Sequence, residues 1–189
     1  KERISVHTHI AETKTEQAEM ENKRKQKVVE YLGKIGFLRS NVVGAHCVWL
    51  SSNEIKLLAQ SGTKVAHCPV SNMKLAVGAA APISEMLQSG VCVGLGTDGA
   101  ASNNTLNMFE TMKFCALLHK HTRWDPTLLP AQTTLDLATR EGARVLGMEK
   151  TIGSMRQMMP RRIPQRRITT MKENVLGDFK GLSSMRFEN

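Results

Sequence analysis

The stretch Val91-Cys92-Val93-Gly94-Leu95-Gly96-Thr97-Asp98 is an apolar run that ends in a carboxylate, with Gly99 directly behind it. Three earlier segments have the same form: Ser5-Val6-His7-Thr8-His9-Ile10-Ala11-Glu12, Val42-Val43-Gly44-Ala45-His46-Cys47 and Lys64-Val65-Ala66-His67-Cys68-Pro69. Each carries a hydrophobic run into a side chain that can bind metal or move a proton. One such run would mean little. Four in succession, separated by helix-like stretches, predict an α/β fold in which parallel strands alternate with helices through right-handed crossovers. The C-terminal ends of such strands are where open sheets and (β/α) barrels place their chemistry. Four strands are too few to close an eight-stranded barrel, so the pattern alone leaves a small open sheet or part of a barrel.

Reading outward, the first strand spans 3–10 and the stretch from Thr13 to Leu32, rich in Glu, Lys and Gln, is one exposed helix stopped by Gly33 or Gly36. The second strand spans 41–46. Ser51-x-x-Glu54 is a capping box that opens a short helix. The third strand covers 64–68, followed by a small-residue loop over 69–80. Pro82 suits the first turn of a helix that ends at Gly90. The fourth strand covers 91–95, and helices near 104–120 and 133–146 complete the alternation.

Composition bounds the reading. The chain has 189 residues, 41% of them hydrophobic, enough for one domain with a real core. No apolar run nears the roughly 20 residues that span a bilayer. Cys47, Cys68, Cys92 and Cys115 form no CxxC pair, as expected of reduced thiols in a cytoplasmic protein. The start, Lys1-Glu2-Arg3, lacks an initiator methionine and signal-peptide architecture, as a truncated 5′ end would. The net charge of +9 is uneven: residues 151–189 hold eight Lys and Arg against three Asp and Glu. Around Arg156, Arg161, Arg162, Arg166 and Arg167 there is no aromatic residue to stack on bases. A solvated basic tail over 154–189 is therefore expected, not a nucleic-acid surface.

His9 and Glu12 are three residues apart where the first strand ends. Imidazole is a ready metal ligand, and Glu12 can reach a reacting atom as general acid/base. A structural histidine beside a helix-capping glutamate is the competing reading. His7 shares a strand face with His9 and is read as support, either behind a ligand or buried in the core, and not as a ligand itself. His46 and His67 close the next two strands, where either can orient a water, or else be a satisfied core histidine. Asp98 follows an apolar strand, where burial is costly unless the carboxylate is paired or metal-bound; the alternative is a turn aspartate before glycine. Gly94-x-Gly96 lacks the third glycine of a dinucleotide fingerprint. His119 and His121 are two apart on a helix and diverge.

His9-Ile10-Ala11-Glu12-Thr13, Ala45-His46-Cys47-Val48, the run from Ala66 to Leu75 containing Ser71-Asn72-Met73-Lys74, and Leu95-Gly96-Thr97-Asp98-Gly99-Ala100-Ala101-Ser102-Asn103-Asn104 together resemble the metal-dependent amidohydrolase superfamily. Within its chlorohydrolase-like group the likeness is to the 5-methylthioadenosine/S-adenosylhomocysteine deaminase branch, and it extends from Ile4 to Gly153. The resemblance implies that 1–153 holds the C-terminal half, roughly the last four strands, of a distorted (β/α) TIM-type barrel. It implies zinc as cofactor, with Fe or Mn also admissible, held by His9 and Asp98. Asp98 would also take a proton from the attacking water. Glu12 would relay protons to the purine ring nitrogen, His46 would hold the nucleophile, and Ser102 would contact substrate. His67 and His7 are left in supporting positions. The reaction implied is hydrolytic deamination of an adenosine-type nucleoside, with release of ammonia.

Two departures accompany the likeness. The family's first-strand His-x-His pair is not among these residues, and two ligands are fewer than the usual three of a catalytic zinc site. After Ser154 the expected β-sandwich sequence gives way to Met155-Arg156-Gln157-Met158-Met159-Pro160, as a frameshifted or misjoined frame would. Alone, the chain is expected to bind zinc weakly, to lack turnover and to associate through an unpaired sheet edge, a homo-oligomer being one outcome. The partner expected is a small nucleoside, with neither nucleic acid nor membrane. The alternatives are a deaminase or amidohydrolase acting on guanine, cytosine or an aminotriazine, or a catalytically dead α/β remnant that serves as a binding module.

Overall fold

The computed structural model describes residues 4–155. Apart from its first two residues, the basic tail expected over 154–189 lies outside them, as does the Arg3 end of the first expected strand. Among the described residues the elements run β1 (Val6–Ile10), α1 (Lys14–Arg24), α2 (Val28–Lys34), β2 (Val42–His46), α3 (Ser52–Ser61), β3 (Lys64–His67) and α4 (Pro69–Lys74). They continue with α5 (Ile83–Gln88), β4 (Val93–Leu95), α6 (Ala100–Asn103), α7 (Met108–Arg123), α8 (Ala131–Ala138) and α9 (Arg140–Leu146). No helix among the described residues is long and apolar enough to cross a membrane.

The strands form one parallel sheet in the order β1-β2-β3-β4. β2, flanked on both sides, is buried along its whole length. On the edge strand β1, Val6 and Thr8 are half-buried and Ile10 fully buried, while His7 and His9 are exposed. The period-two alternation is as expected, but its sense places His7 on the open face. His7 is therefore not buried support in this chain. The core gathers Ile10, Val29, Leu58, Val65, Ile83 and Met86, each fully buried. β4 lies so close to α9 that a Cβ on Gly94 would stand 2.9 Å from Gly142 Cα, and only glycine fits there.

Several elements depart from the sequence pattern. The single helix expected over 13–32 is two, because Lys25 adopts a left-handed conformation (φ 57°) that closes α1. The turn delivers buried Val28 and Val29 to a polar cluster. Gln17 Oε1 accepts from the Val28 N–H at 2.9 Å, and Glu54 Oε1 accepts from the Val29 N–H at 3.2 Å. Tertiary hydrogen bonding thus overrides local propensity. The loop expected over 69–80 begins as α4, with Pro69 in its first turn, where its missing N–H costs nothing. The helix expected over 133–146 breaks at Thr139 into α8 and α9. The capping box at Ser51 forms as expected: Ser51 Oγ accepts from the Glu54 N–H, and Glu54 Oε2 accepts from the Ser51 N–H.

Candidate active site

The strand ends bend sharply. Ala11 (φ 50°), His46 (φ 69°), Cys47 (φ 48°) and Asp98 (φ 60°) all sit in the left-handed region, which costs a non-glycine residue about 1–2 kcal/mol. Such strain clusters where a site dictates side-chain direction. At His46 the consequence is visible. β2 pairs His46 beside Ile10, so strict alternation would send both side chains the same way. Instead the His46 ring stacks on His9, with centroids 5.1 Å apart and planes 16° apart.

This turn assembles the first cluster. Ligand atoms of His9, Glu12 and His46 lie within 4.8 Å of one another. His46 is fully buried. Its Nδ1 lies 2.7 Å from Asn72 Oδ1, while its Nε2, without a hydrogen-bond partner, stands 3.8 Å from Glu12 Oε1. With Asn72 Oδ1 accepting, the proton sits on Nδ1 and the Nε2 lone pair is free at the cluster. Glu16 fixes the turn after β1, its carboxylate accepting the Ala11 N–H (3.1 Å) and the Glu12 N–H (2.8 Å).

Asp98 is outside that 4.8 Å cluster but is coupled to His46 electrostatically. Ser71 Oγ and Ser102 Oγ both donate to its Oδ2 at 2.7 Å. Burial alone would raise the Asp98 carboxyl. The two hydroxyls, the Gly99 N–H and nearby His46 outweigh burial and hold it at about 2, a permanent anion at neutral pH. Its loop is pinned from α4, where Lys74 Nζ donates to Ala101 O at 2.6 Å. Replacing Ser71 and Ser102 together by Ala should bring the Asp98 pKa up towards its ordinary value, which carboxyl carbon-13 NMR titration of metal-free protein reads directly. The sign follows from linkage. A carboxyl depressed in the folded state contributes stability that is whole above its unfolded pKa of about 3.9 and lost as pH falls towards the folded value. The double variant should lose less stability than the parent over that acidic interval.

The structure therefore brings His9, Glu12 and His46 together, sets Asp98 on the loop after β4 and Ser102 on α6 behind it, and leaves His7 exposed. His67 is fully buried, and its Nε2 is 3.1 Å from His119 Nε2. Four further contributors escape a sequence reading. Ser71, Asn72 and Glu16 hold the site from behind. Thr13-x-x-Glu16 repeats the pattern of Ser51-x-x-Glu54 and is a readable signal for Glu16. His119 does diverge from exposed His121, yet it is buried against His67.

The sequence pattern of the amidohydrolase family matches residues 1–157. The chain belongs to the amidohydrolase family. It is 52% identical over 146 residues to a 5-methylthioadenosine/S-adenosylhomocysteine deaminase of Nitratidesulfovibrio vulgaris, covering 77% of this chain and 33% of that protein. It is 49% identical over 146 residues to a 5′-deoxyadenosine deaminase of Methanothermobacter thermautotrophicus, covering 77% and 34%. Among solved structures, an adenosine deaminase from Xanthomonas campestris with bound zinc superposes with a TM-score of 0.76 at 40% identity, covering 79% of this chain and 34% of that one. The chain thus spans about a third of the length of these relatives. Its four parallel strands and their helices are part of the (β/α) barrel of this amidohydrolase family.

Proposed function

We propose that this amidohydrolase chain supplies the C-terminal barrel half, residues 1–153, of a zinc-dependent deaminase acting on an adenosine-type nucleoside such as 5-methylthioadenosine, S-adenosylhomocysteine or 5′-deoxyadenosine. The basic sequence over 154–189 is not counted in that half. The observation that carries the reading is the meeting of His9, Glu12 and His46 within 4.8 Å at strained strand ends. The activities named for relatives of about half-identical sequence support the substrate class.

The donor set fits a divalent cation. A buried imidazole nitrogen without a partner faces a neighbouring imidazole and a carboxylate, and a second carboxylate nearby is held ionised. His9 and Asp98 would hold the ion, part of a larger ligand set, and the ion when bound supplies a water ionised near neutral pH. Glu12 delivers a proton to the ring nitrogen beside the carbon under attack, which makes that carbon more electrophilic. His46, oriented by Asn72, positions the attacking oxygen. Asp98 accepts the proton that this oxygen gives up, and Ser102 positions the nucleoside. Water adds, ammonia leaves, and the adenine ring becomes a hypoxanthine ring.

The test is a hybrid in which 1–153 replaces the matching third of the N. vulgaris deaminase. The expected result is chromatographic conversion of 5′-methylthioadenosine to its inosine-type product, with guanine and cytosine untouched. A folded, zinc-loaded hybrid that leaves every adenosine-type nucleoside unchanged would overturn the reading.

A further inference from the structure

Away from the strand-end cluster, α7 carries a second set of donors. Cys115 and His119 are four residues apart, so the helical repeat sets them on one face, and both are buried, at 0% and 2% exposure. His67, also fully buried, meets them from the end of β3. A donor atom of each of the three lies within 4.8 Å of the others. The His67 and His119 rings are tilted, with centroids 5.2 Å apart and Nε2 atoms 3.1 Å apart. Around one ion, two imidazole nitrogens stand about 3.3–3.6 Å apart, given metal–nitrogen bonds near 2.0–2.1 Å. The pair therefore needs to open by only a few tenths of an ångström.

The chemistry of the set is specific. Burial, with the neighbouring histidines adding to it, pushes His67 well below the usual imidazole range. Burial and then Arg123 bring His119 to about 4. Both rings are neutral at physiological pH, so their lone pairs are available. The cluster contains a thiol and no carboxylate, the soft combination that selects Cu(I) or Zn²⁺ over hard cations.

We propose that His67, Cys115 and His119 form a buried second cation site that takes a soft d¹⁰ ion. The site shares no residue with the His9, Glu12 and His46 cluster, although His67 lies near enough to His46 to feel its charge, and it does not depend on the deaminase reading. Charge decides between the two candidate ions. Burial pushes the Cys115 thiol up to about 12, so it is protonated in the metal-free cluster and gives its proton to solvent when an ion binds. Two neutral imidazoles and one thiolate then carry a single negative charge, and Cu(I) makes a neutral centre. Zn²⁺ leaves a net positive charge that burial penalises. Cu(I) is the ion the site favours.

The experiment uses the full chain with His9→Ala and Asp98→Asn, which removes the strand-end ligands. Cu(I) is titrated anaerobically against a chromophoric chelator, Zn²⁺ is titrated in a parallel arm, and copper X-ray absorption reads the ligand atoms. The expected result is one equivalent of Cu(I) bound by one sulfur and two nitrogens, with the equivalent and the sulfur signal both lost in Cys115→Ala. One equivalent of Zn²⁺ with a Cys115-dependent thiolate-to-cobalt band in the Co²⁺ form would uphold the site but overturn the preference for Cu(I). Failure to bind either ion, or binding unchanged by Cys115→Ala, would overturn the site and leave an N–H···N bond between two core histidines. If Cys115→Ala fails to fold by circular dichroism, His119→Gln is read in its place, with exposed His121→Gln as the control.

Discussion

Replacing Glu12 by Gln in the hybrid enzyme is expected to lower ammonia release by about 10²–10⁴-fold, the usual worth of a positioned general acid/base, while bound metal is retained. The geometry gives the reason. Glu12 sits one residue beyond the left-handed turn at Ala11, its N–H is held by Glu16, and its carboxylate faces His46 across 3.8 Å. Gln preserves size and hydrogen bonding but cannot cycle a proton. The check is turnover on 5′-methylthioadenosine together with metal content by atomic emission. Full activity would remove Glu12 from proton transfer. Lost activity accompanied by lost metal would make Glu12 a ligand.

The largest expected effect on stability comes from a residue with no part in the chemistry. Glu54→Ala should destabilise the protein by about 1–3 kcal/mol for each buried donor that it leaves unsatisfied. The Glu54 side chain is fully buried. Oε1 accepts from Gln17 Nε2 at 3.1 Å and from the Val29 N–H, and Oε2 accepts from the Ser51 N–H and Ser51 Oγ, each at 2.9 Å. Truncation strands these donors without water, and the cost of unpaired buried groups exceeds the worth of the bonds themselves. Urea unfolding of parent and variant hybrids measures the difference. A midpoint unchanged by the substitution would show that the cluster relaxes or hydrates.

Much of this was legible in the sequence because strand ends write themselves plainly. Val93 to Leu95 and Val42 to His46 are apolar runs with no competing helical period, so the parallel α/β order could be read directly. Sequence spacing does not report backbone sign. Nothing around His46 announces φ 69°, and without that turn the ring would follow Ile10 away from His9. Nor does composition reveal partners that arrive from another element. Ser71 and Asn72 read as a small-residue loop, yet α4 delivers them to Asp98 and His46. Lys25 closes a helix with no glycine or proline to mark it, because the hydrogen bonds that favour the turn run to Gln17 and Glu54. The exposure of His7 has a simpler reason. Alternation shows which residues share a face, but not which face is covered.

The central claim is that these strand ends complete a metal-dependent deaminase site, and metal removal from the hybrid tests it most directly. The hybrid is stripped with a chelator, assayed for ammonia from 5′-methylthioadenosine, reloaded with zinc and assayed again. The expected result is that release stops on stripping and returns with the metal. Undiminished release from metal-free protein would contradict it, as would no release from a folded, zinc-loaded one.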